Sequence, residues 1–249
     1  YVDSYEYDKC LRLTAWSERE RKNNTMRDGF SESFGYDMLG NPISEGNPAS
    51  SFASSLGSPV DPNKPPAIYG YDSAGRITRD RNGFTWDYHA NGQAKTFTIP
   101  EASSTYTLTY DSEGRIRGGS GSGGDTDTYH YCGDRVYALV QTGSTQGQGY
   151  SARTLVLRNE SRSCLMQDAI TDERESRSFE LRDASGTIIA SVDLATKTIT
   201  YLRYRPYGFG YAGETSERWL GFKGEPINRM GLYHLGNGYR MYDPLIGCF

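Results

Sequence analysis

A six-residue pattern, Tyr-Asp-x-x-Gly-(Arg or Asn), recurs along the chain and restricts it to folds built from short, self-closing turns. It is complete at Tyr36-Asp37-Met38-Leu39-Gly40-Asn41, at Tyr71-Asp72-Ser73-Ala74-Gly75-Arg76 and at Tyr110-Asp111-Ser112-Glu113-Gly114-Arg115. Three weaker copies lack one part or more: Tyr88-His89-Ala90-Asn91-Gly92-Gln93 replaces the Asp, Leu181-Arg182-Asp183-Ala184-Ser185-Gly186 keeps only Asp and Gly, and Tyr7-Asp8-Lys9-Cys10-Leu11-Arg12 has no glycine. Each part of the pattern has a physical task. The aromatic ends a strand, the Asp side chain accepts hydrogen bonds from the turn backbone, and Gly takes the positive φ that closes the turn. The next strand opens at once, as in Arg76-Ile77-Thr78-Arg79. Every copy therefore predicts an antiparallel hairpin whose register its own turn sets. The first gap between complete copies holds an insert at about 44–66, rich in Ser, Pro, Asn and Gly, which reads as a surface loop.

Composition agrees with extended sheet. Only 36% of the 249 residues are hydrophobic and the mean hydropathy is −0.69, lean for a closed globule. The 20 Tyr and 29 Gly favour strands and turns over helices. The net charge of −4 arises from 27 basic and 31 acidic residues scattered along the chain. No basic stripe is present of the kind a phosphate backbone demands, so nucleic acid is not an expected partner. No apolar run approaches the roughly 18 to 20 residues that cross a bilayer, so no membrane span is expected. Cys10, Cys132, Cys164 and Cys248 are spaced too widely for a zinc knuckle and too few for a disulfide scaffold, which leaves free thiols. The chain opens at Tyr1 without a Met or a signal-like segment and reads as a fragment of a longer polypeptide.

Motifs that carry chemistry are scarce. The run Gly118-Gly119-Ser120-Gly121-Ser122-Gly123-Gly124 lacks the terminal Gly-Lys-Ser/Thr of a phosphate-binding loop and the helix that follows one. Residues 118–127 are instead expected as a flexible Gly/Ser linker. His89, His130 and His234 lie in separate strand-like segments, without a Cys or His at ligand spacing, so no metal or cofactor is expected. There is no Gly-x-Ser-x-Gly and no strand-helix alternation to seat a catalytic triad. Alternating strand signals recur at 128–132, 135–141, 153–158, 164–168 and 178–183. The clearest hairpin pairs 187–193 with 197–204 around a turn at 194–196.

The last fifty residues carry a second constellation. Tyr204-Arg205-Pro206-Tyr207-Gly208, then Gly221-Phe222-Lys223-Gly224-Glu225, then Gly231-Leu232-Tyr233-His234-Leu235, then Tyr239-Arg240-Met241-Tyr242-Asp243-Pro244 with Gly247 and Phe249 follow in order. This arrangement resembles the core motif of the RHS or YD-repeat family, and the variant at 235–240 looks most like the C components of bacterial insecticidal toxin complexes and related polymorphic toxins. The resemblance implies an all-β architecture of repeated antiparallel hairpins, wound as a curved or spiralling sheet within a hollow shell. Residues 1–200 would be the wall and 201–249 the RHS-associated core motif, truncated at its C-terminus. It further implies a structural, non-enzymatic role in a secreted or secretion-system-delivered toxin, the shell enclosing a C-terminal toxic effector as cargo. The N-terminal remainder of the shell, or a B-type toxin-complex component, would be its partner.

RHS cores of this type often cut their own chain beyond the motif with a pair of aspartates, and Asp243 is the acidic residue at the matching place, a candidate for autoproteolysis. The sequence departs from the family at Cys248, where an Arg usually stands. Two alternatives come from other classes. One is an extracellular carbohydrate-binding or adhesion module with exposed Trp16, Trp86 and Trp219, although these occur singly. The other is a part of a self-processing aspartyl protease.

Overall fold

The computed structural model describes residues 2–36, 42–43, 70–80, 83–99, 104–143, 152–160, 164–171, 174–212, 219–228, 231–236 and 238–244. They fall in two compact units, Tyr1–Thr85 and Trp86–Phe249. In the first, β1 (Val2–Tyr7), β2 (Leu13–Lys22) and β3 (Thr25–Ser33) form an antiparallel sheet, with β2 in the middle. Two short ribbons follow: β4 (Gly35–Tyr36) with β5 (Pro42–Ile43), and β6 (Gly70–Tyr71) with β7 (Ile77–Arg79).

From β8 (Thr85–Tyr88) onward, spatial order is chain order. The strands are β9 (Ala94–Ile99), β10 (Ser104–Tyr110), β11 (Ile116–Gly121), β12 (Thr126–Cys132), β13 (Arg135–Thr142), β14 (Ala152–Glu160), β15 (Cys164–Thr171), β16 (Glu175–Arg182), β17 (Ile188–Asp193) and β18 (Ile199–Tyr201). The expected hairpin at the end of this run is present, with its turn at 194–196. Two small ribbons, β19 (Arg203–Tyr204) with β20 (Gly210–Ala212) and β21 (Tyr233–Leu235) with β22 (Arg240–Tyr242), complete an all-β chain. The only helical element among the described residues is a 3₁₀ turn, Phe222–Gly224. None of its described helices is long and apolar enough to cross a membrane.

The repeat turns share one construction. In the copy at Asp72, the Asp72 N–H donates to the Arg76 carbonyl and the Gly75 N–H donates to the Asp72 carbonyl. The Asp72 carboxylate accepts the Ala74 and Arg76 N–H groups on Oδ1, both at 2.9 Å, and the Arg76 Nε on Oδ2 at 2.6 Å. Asp111 repeats the set with Glu113 and Arg115, and Asp8 with Cys10 and Arg12. The tyrosine before each Asp then pairs with the apolar residue after each Arg: Tyr7 with Leu13, Tyr71 with Ile77 and Tyr110 with Ile116, each across a register shift. Backbone donors and the arginine hold Asp8 and Asp72 below the usual carboxylate range; at Asp111 burial pushes the other way and is outweighed.

Degraded copies keep the backbone and change the clamp. His89 makes the same two main-chain bonds with Gln93 and Gly92, while the Asn91 Oδ1 takes over as acceptor for the Gln93 N–H at 3.1 Å. Asp80 and Gly121 form the same turn without a preceding Tyr-Asp pair, and so escape a search for the full pattern. The turn after Tyr36, residues 37–41, and the insert at 44–66 lie outside the described residues.

Two findings differ from the sequence reading. Residues 118–127 are strand and turn, not a flexible linker: Gly118 pairs with Thr128 and Gly119 with Asp127 across β11 and β12. The glycines there make room rather than slack, since a Cβ on Gly119 would lie 2.2 Å from the Tyr106 ring and 2.7 Å from the Thr107 carbonyl. The second concerns Leu11, which adopts φ 60° where Gly75 and Gly114 adopt 78° and 85°. Its side chain is 84% exposed, so no packing offsets a left-handed backbone that costs an L-residue about 1–2 kcal/mol.

Replacing Leu11 by Gly should therefore stabilise the Tyr1–Thr85 unit by about 1 kcal/mol in urea unfolding; an unchanged or lower midpoint would show that Leu11 is not strained. Gly119→Ala should lower stability by about 2 kcal/mol through overpacking, whereas Gly123→Ala, where an added Cβ meets nothing within 4 Å, should stay within about 0.5 kcal/mol. Equal, small effects at both glycines would restore the linker reading.

Candidate functional site

Alternation along β12 to β15 gives the sheet one face that other segments cover. Tyr129 stands opposite Leu139, Leu139 opposite Leu155 and Leu155 opposite Ala169. All four are buried and join Leu165, Ile188, Leu202, Trp219 and Leu220 in one cluster. Beside this apolar row runs a polar one. Tyr106 donates to Asp127 at 2.6 Å, Gln141 Nε2 donates to Asp127 at 2.8 Å, and Arg153 donates to Gln141 Oε1 at 3.0 Å through Nε. These buried polar groups satisfy one another across strands, as burial requires.

On the other face, buried Asp168 accepts Arg158 Nε at 2.6 Å and Arg177 NH2 at 3.0 Å. The Arg177 guanidinium, with that of Arg158, holds the Asp168 carboxyl below its ordinary range against the opposing effect of burial. The clamp is complete at neutral pH and is lost as pH falls through that lowered value.

Side-chain donors aimed at backbone or amide acceptors anchor the core-motif segment to the covered face and hold the segment itself together. Trp219 Nε1 donates to Gln167 Oε1 at 2.6 Å, with both groups buried. Tyr233 OH donates to the Gly208 carbonyl at 3.3 Å, and Tyr242 OH donates to the Tyr207 carbonyl at 3.0 Å. Tyr207-Gly208 is thereby held by both strands of the β21–β22 ribbon. Gly208 has to be glycine: a Cβ would lie 2.5 Å from the Phe222 ring. Main-chain bonds tie the motif to the sheet as well, from Ile188 N–H to Gly221 O at 3.1 Å and from Ile116 N–H to Gly238 O at 2.9 Å.

Arg115 connects this arrangement to a repeat turn. Besides its clamp on Asp111, its guanidinium lies 4.4 Å from the Tyr131 ring centroid and donates through NH1 to the Gly133 carbonyl at 2.8 Å. The cation over the ring and the buried pairing fix Tyr131, whose OH donates to Ile116 O at 2.8 Å.

Residues marked by sequence for possible chemistry are dispersed. His89 sits in its turn, 6.3 Å edge-on to Tyr110, and exposed His130 lies 6.1 Å from Tyr137. His234 is buried at the centre of the motif, tilted against Tyr129 at 4.8 Å. Its Nε2 is 3.4 Å from Asn228 Nδ2, and its Nδ1 has no hydrogen-bond partner among the described residues. Burial pulls its pKa down to about 4. Asp243 is buried directly after the anchored Tyr242. Cys10, Cys132 and Cys164 are free thiols, while Cys248 lies outside the described residues. Among the described residues no group of three or more His, Cys, Asp or Glu could hold a metal ion.

The arrangement defines an antiparallel hairpin-repeat sheet with a glycine- and tyrosine-rich C-terminal motif folded back on one face. The same fold is found in chains of bacterial toxin complexes. A crystal structure of TcdB2-TccC3-TEV matches with TM-score 0.68 at 17% identity, and one of TcdB2-TccC3 gives the same values. The Photorhabdus luminescens Tc holotoxin pore, carrying a substituted TccC3, matches with TM-score 0.69 at 16% identity. Each match covers 98% of this chain and only 14% of the other, so the fold is shared over nearly all of this chain and over a small part of those much longer chains. No protein-family model matches the chain, and no curated relative matches it.

The buried His234 gives a measurable signature. A histidine whose folded pKa lies below its unfolded value contributes fully above the unfolded value, near 6.5, and its contribution is lost as pH falls towards 4. Between pH 7 and pH 4 the chain should lose on the order of 3 kcal/mol from this group. His234→Phe should remove that part of the pH dependence in urea unfolding; identical slopes in both proteins would show that His234 is not held neutral.

Proposed function

We propose that this chain is a wall and closing segment of an RHS-type toxin shell, which encloses a C-terminal toxic effector of the same polypeptide. One observation carries the reading: the fold matches toxin-complex chains over 98% of its length. The folded-back motif adds to it, because a segment pinned across one sheet face is what a closing plug requires. Residues 1–200 would serve as wall and 201–249 as plug, joined to the rest of the shell or to a B-type component, in a secreted toxin. No catalysis by this segment is needed for that role.

Burial of Trp16, Trp86 and Trp219, at 3%, 7% and 1% exposure, counts against a carbohydrate platform built on exposed tryptophans. Self-processing is proposed only for a polypeptide extended past Phe249, with Asp243 as one acid of a pair.

The longest expressible polypeptide containing these residues should appear in electron micrographs as a hollow particle with density closing one end, and a compact solid particle would overturn the shell reading. In the same preparation, Asp243→Asn should slow chain cleavage downstream of Phe249. If both versions cleave equally, Asp243 is not catalytic.

A further inference from the structure

Where the 3₁₀ turn of the core motif meets the sheet, a cavity of about 160 Å³ remains. Asp134 and Arg135 line it from the β12–β13 turn, Arg182 from the end of β16, and Lys223 and Glu225 from the core motif. Three basic and two acidic residues therefore line it. The volume accommodates about ten water-sized spheres, too little for the ~300 Å³ and upward of a typical small-molecule pocket but ample for one carboxylate or phosphate group. Lys223 is held at the cavity in a left-handed backbone, φ 55°, and strain of this kind in a non-glycine residue collects at binding and switch sites. Its N–H donates to Thr187 Oγ1 at 3.0 Å, and an added Cβ on Gly224 would lie 3.0 Å from the Gly186 carbonyl. The turn is thus pinned against the sheet at the cavity that Arg135 and Arg182 also line.

We propose that this cavity is an oxyanion site, in which Arg135, Arg182 and Lys223 receive a carboxylate or phosphate group and Glu225 regulates access to it. In a partly desolvated cavity each charge acts more strongly than in water. Ionised, Glu225 competes with the incoming anion for Arg135 and Lys223. Burial raises the Glu225 carboxyl, while Arg135 and Lys223 oppose that rise. Once protonated, Glu225 no longer competes with the ligand and can donate a hydrogen bond to it. Binding should therefore strengthen as pH falls through the Glu225 titration, with Arg135, Lys223 and Tyr131 as the titratable groups that act on Glu225 and Asp134 and Arg182 as the other charged residues lining the cavity.

The test is calorimetric titration of the full chain with inorganic phosphate and, separately, with N-acetylglutamate amide, each against sodium chloride at matched ionic strength. Either probe should bind. Lys223→Met should weaken binding at least tenfold, and Glu225→Gln should tighten it severalfold at neutral pH and flatten its pH dependence. Because the two variants move affinity in opposite directions, a folding defect in one leaves the other readable. The tighter probe identifies the source, a polypeptide carboxylate or free phosphate. Neither probe exceeding chloride, or wild-type affinity in both variants, would overturn the proposal.

Discussion

The clamp of one aspartate on its own turn is the interaction on which the rest of this structure depends. A single carboxylate satisfies two backbone donors and an arginine within five residues, at Asp8, Asp72 and Asp111 alike. Charge-assisted bonds of this kind are roughly twice as strong as neutral ones. Their role here is geometric as much as energetic. Once the turn is closed, the residues on either side can pair in only one register, and a one-residue slip would exchange the two faces of the sheet. Local closure repeated along the chain is why spatial order equals chain order from β8 to β18.

Such a sheet grows by adding neighbours and has no intrinsic need for a thick core. Among the described residues the apolar cluster forms where the core motif lies across β12 to β17, where Trp219 and Leu220 join Tyr129, Leu139, Leu155 and Ile188. Burial of these side chains supplies hydrophobic stabilisation that single-layer strands lack, at roughly 1.5–3 kcal/mol for each large apolar group. Within the motif, glycines at 208 and 221 make room for the Phe222 and Tyr233 rings, and tyrosines 233 and 242 donate to the Gly208 and Tyr207 carbonyls. Sheet and core motif are therefore coupled by packing in the Trp86–Phe249 unit.

Legibility in the sequence followed the distance over which each interaction acts. The turns were readable because Asp, Gly and Arg act within five residues, and the all-β class followed from them. The Asp80 and Gly121 turns were missed because the backbone can make the same closure without the preceding aromatic, and at Gly121 without a carboxylate at the first turn position. Residues 118–127 were misread because composition cannot distinguish glycine used for freedom from glycine used for space; only the Tyr106 ring above Gly119 decides. The docking of the motif lay beyond reach for a related reason. Trp219 finds Gln167 across 52 residues, and nothing periodic in the chain announces that pairing. Likewise His234 read as one more strand residue, and its burial against Tyr129 emerges only from the fold.

Residue-resolved hydrogen exchange on the full chain tests most directly whether the core motif and the sheet are one cooperative structure. Amides of Leu139, Leu155, Ile188, Gly221 and Ile227 should share the slowest exchange and a common opening free energy, since sheet and motif bury one cluster. Fast, independent exchange at Gly221 and Ile227 beside slow exchange at Leu139 and Leu155 would contradict the account, because the motif would then open while the sheet stayed closed.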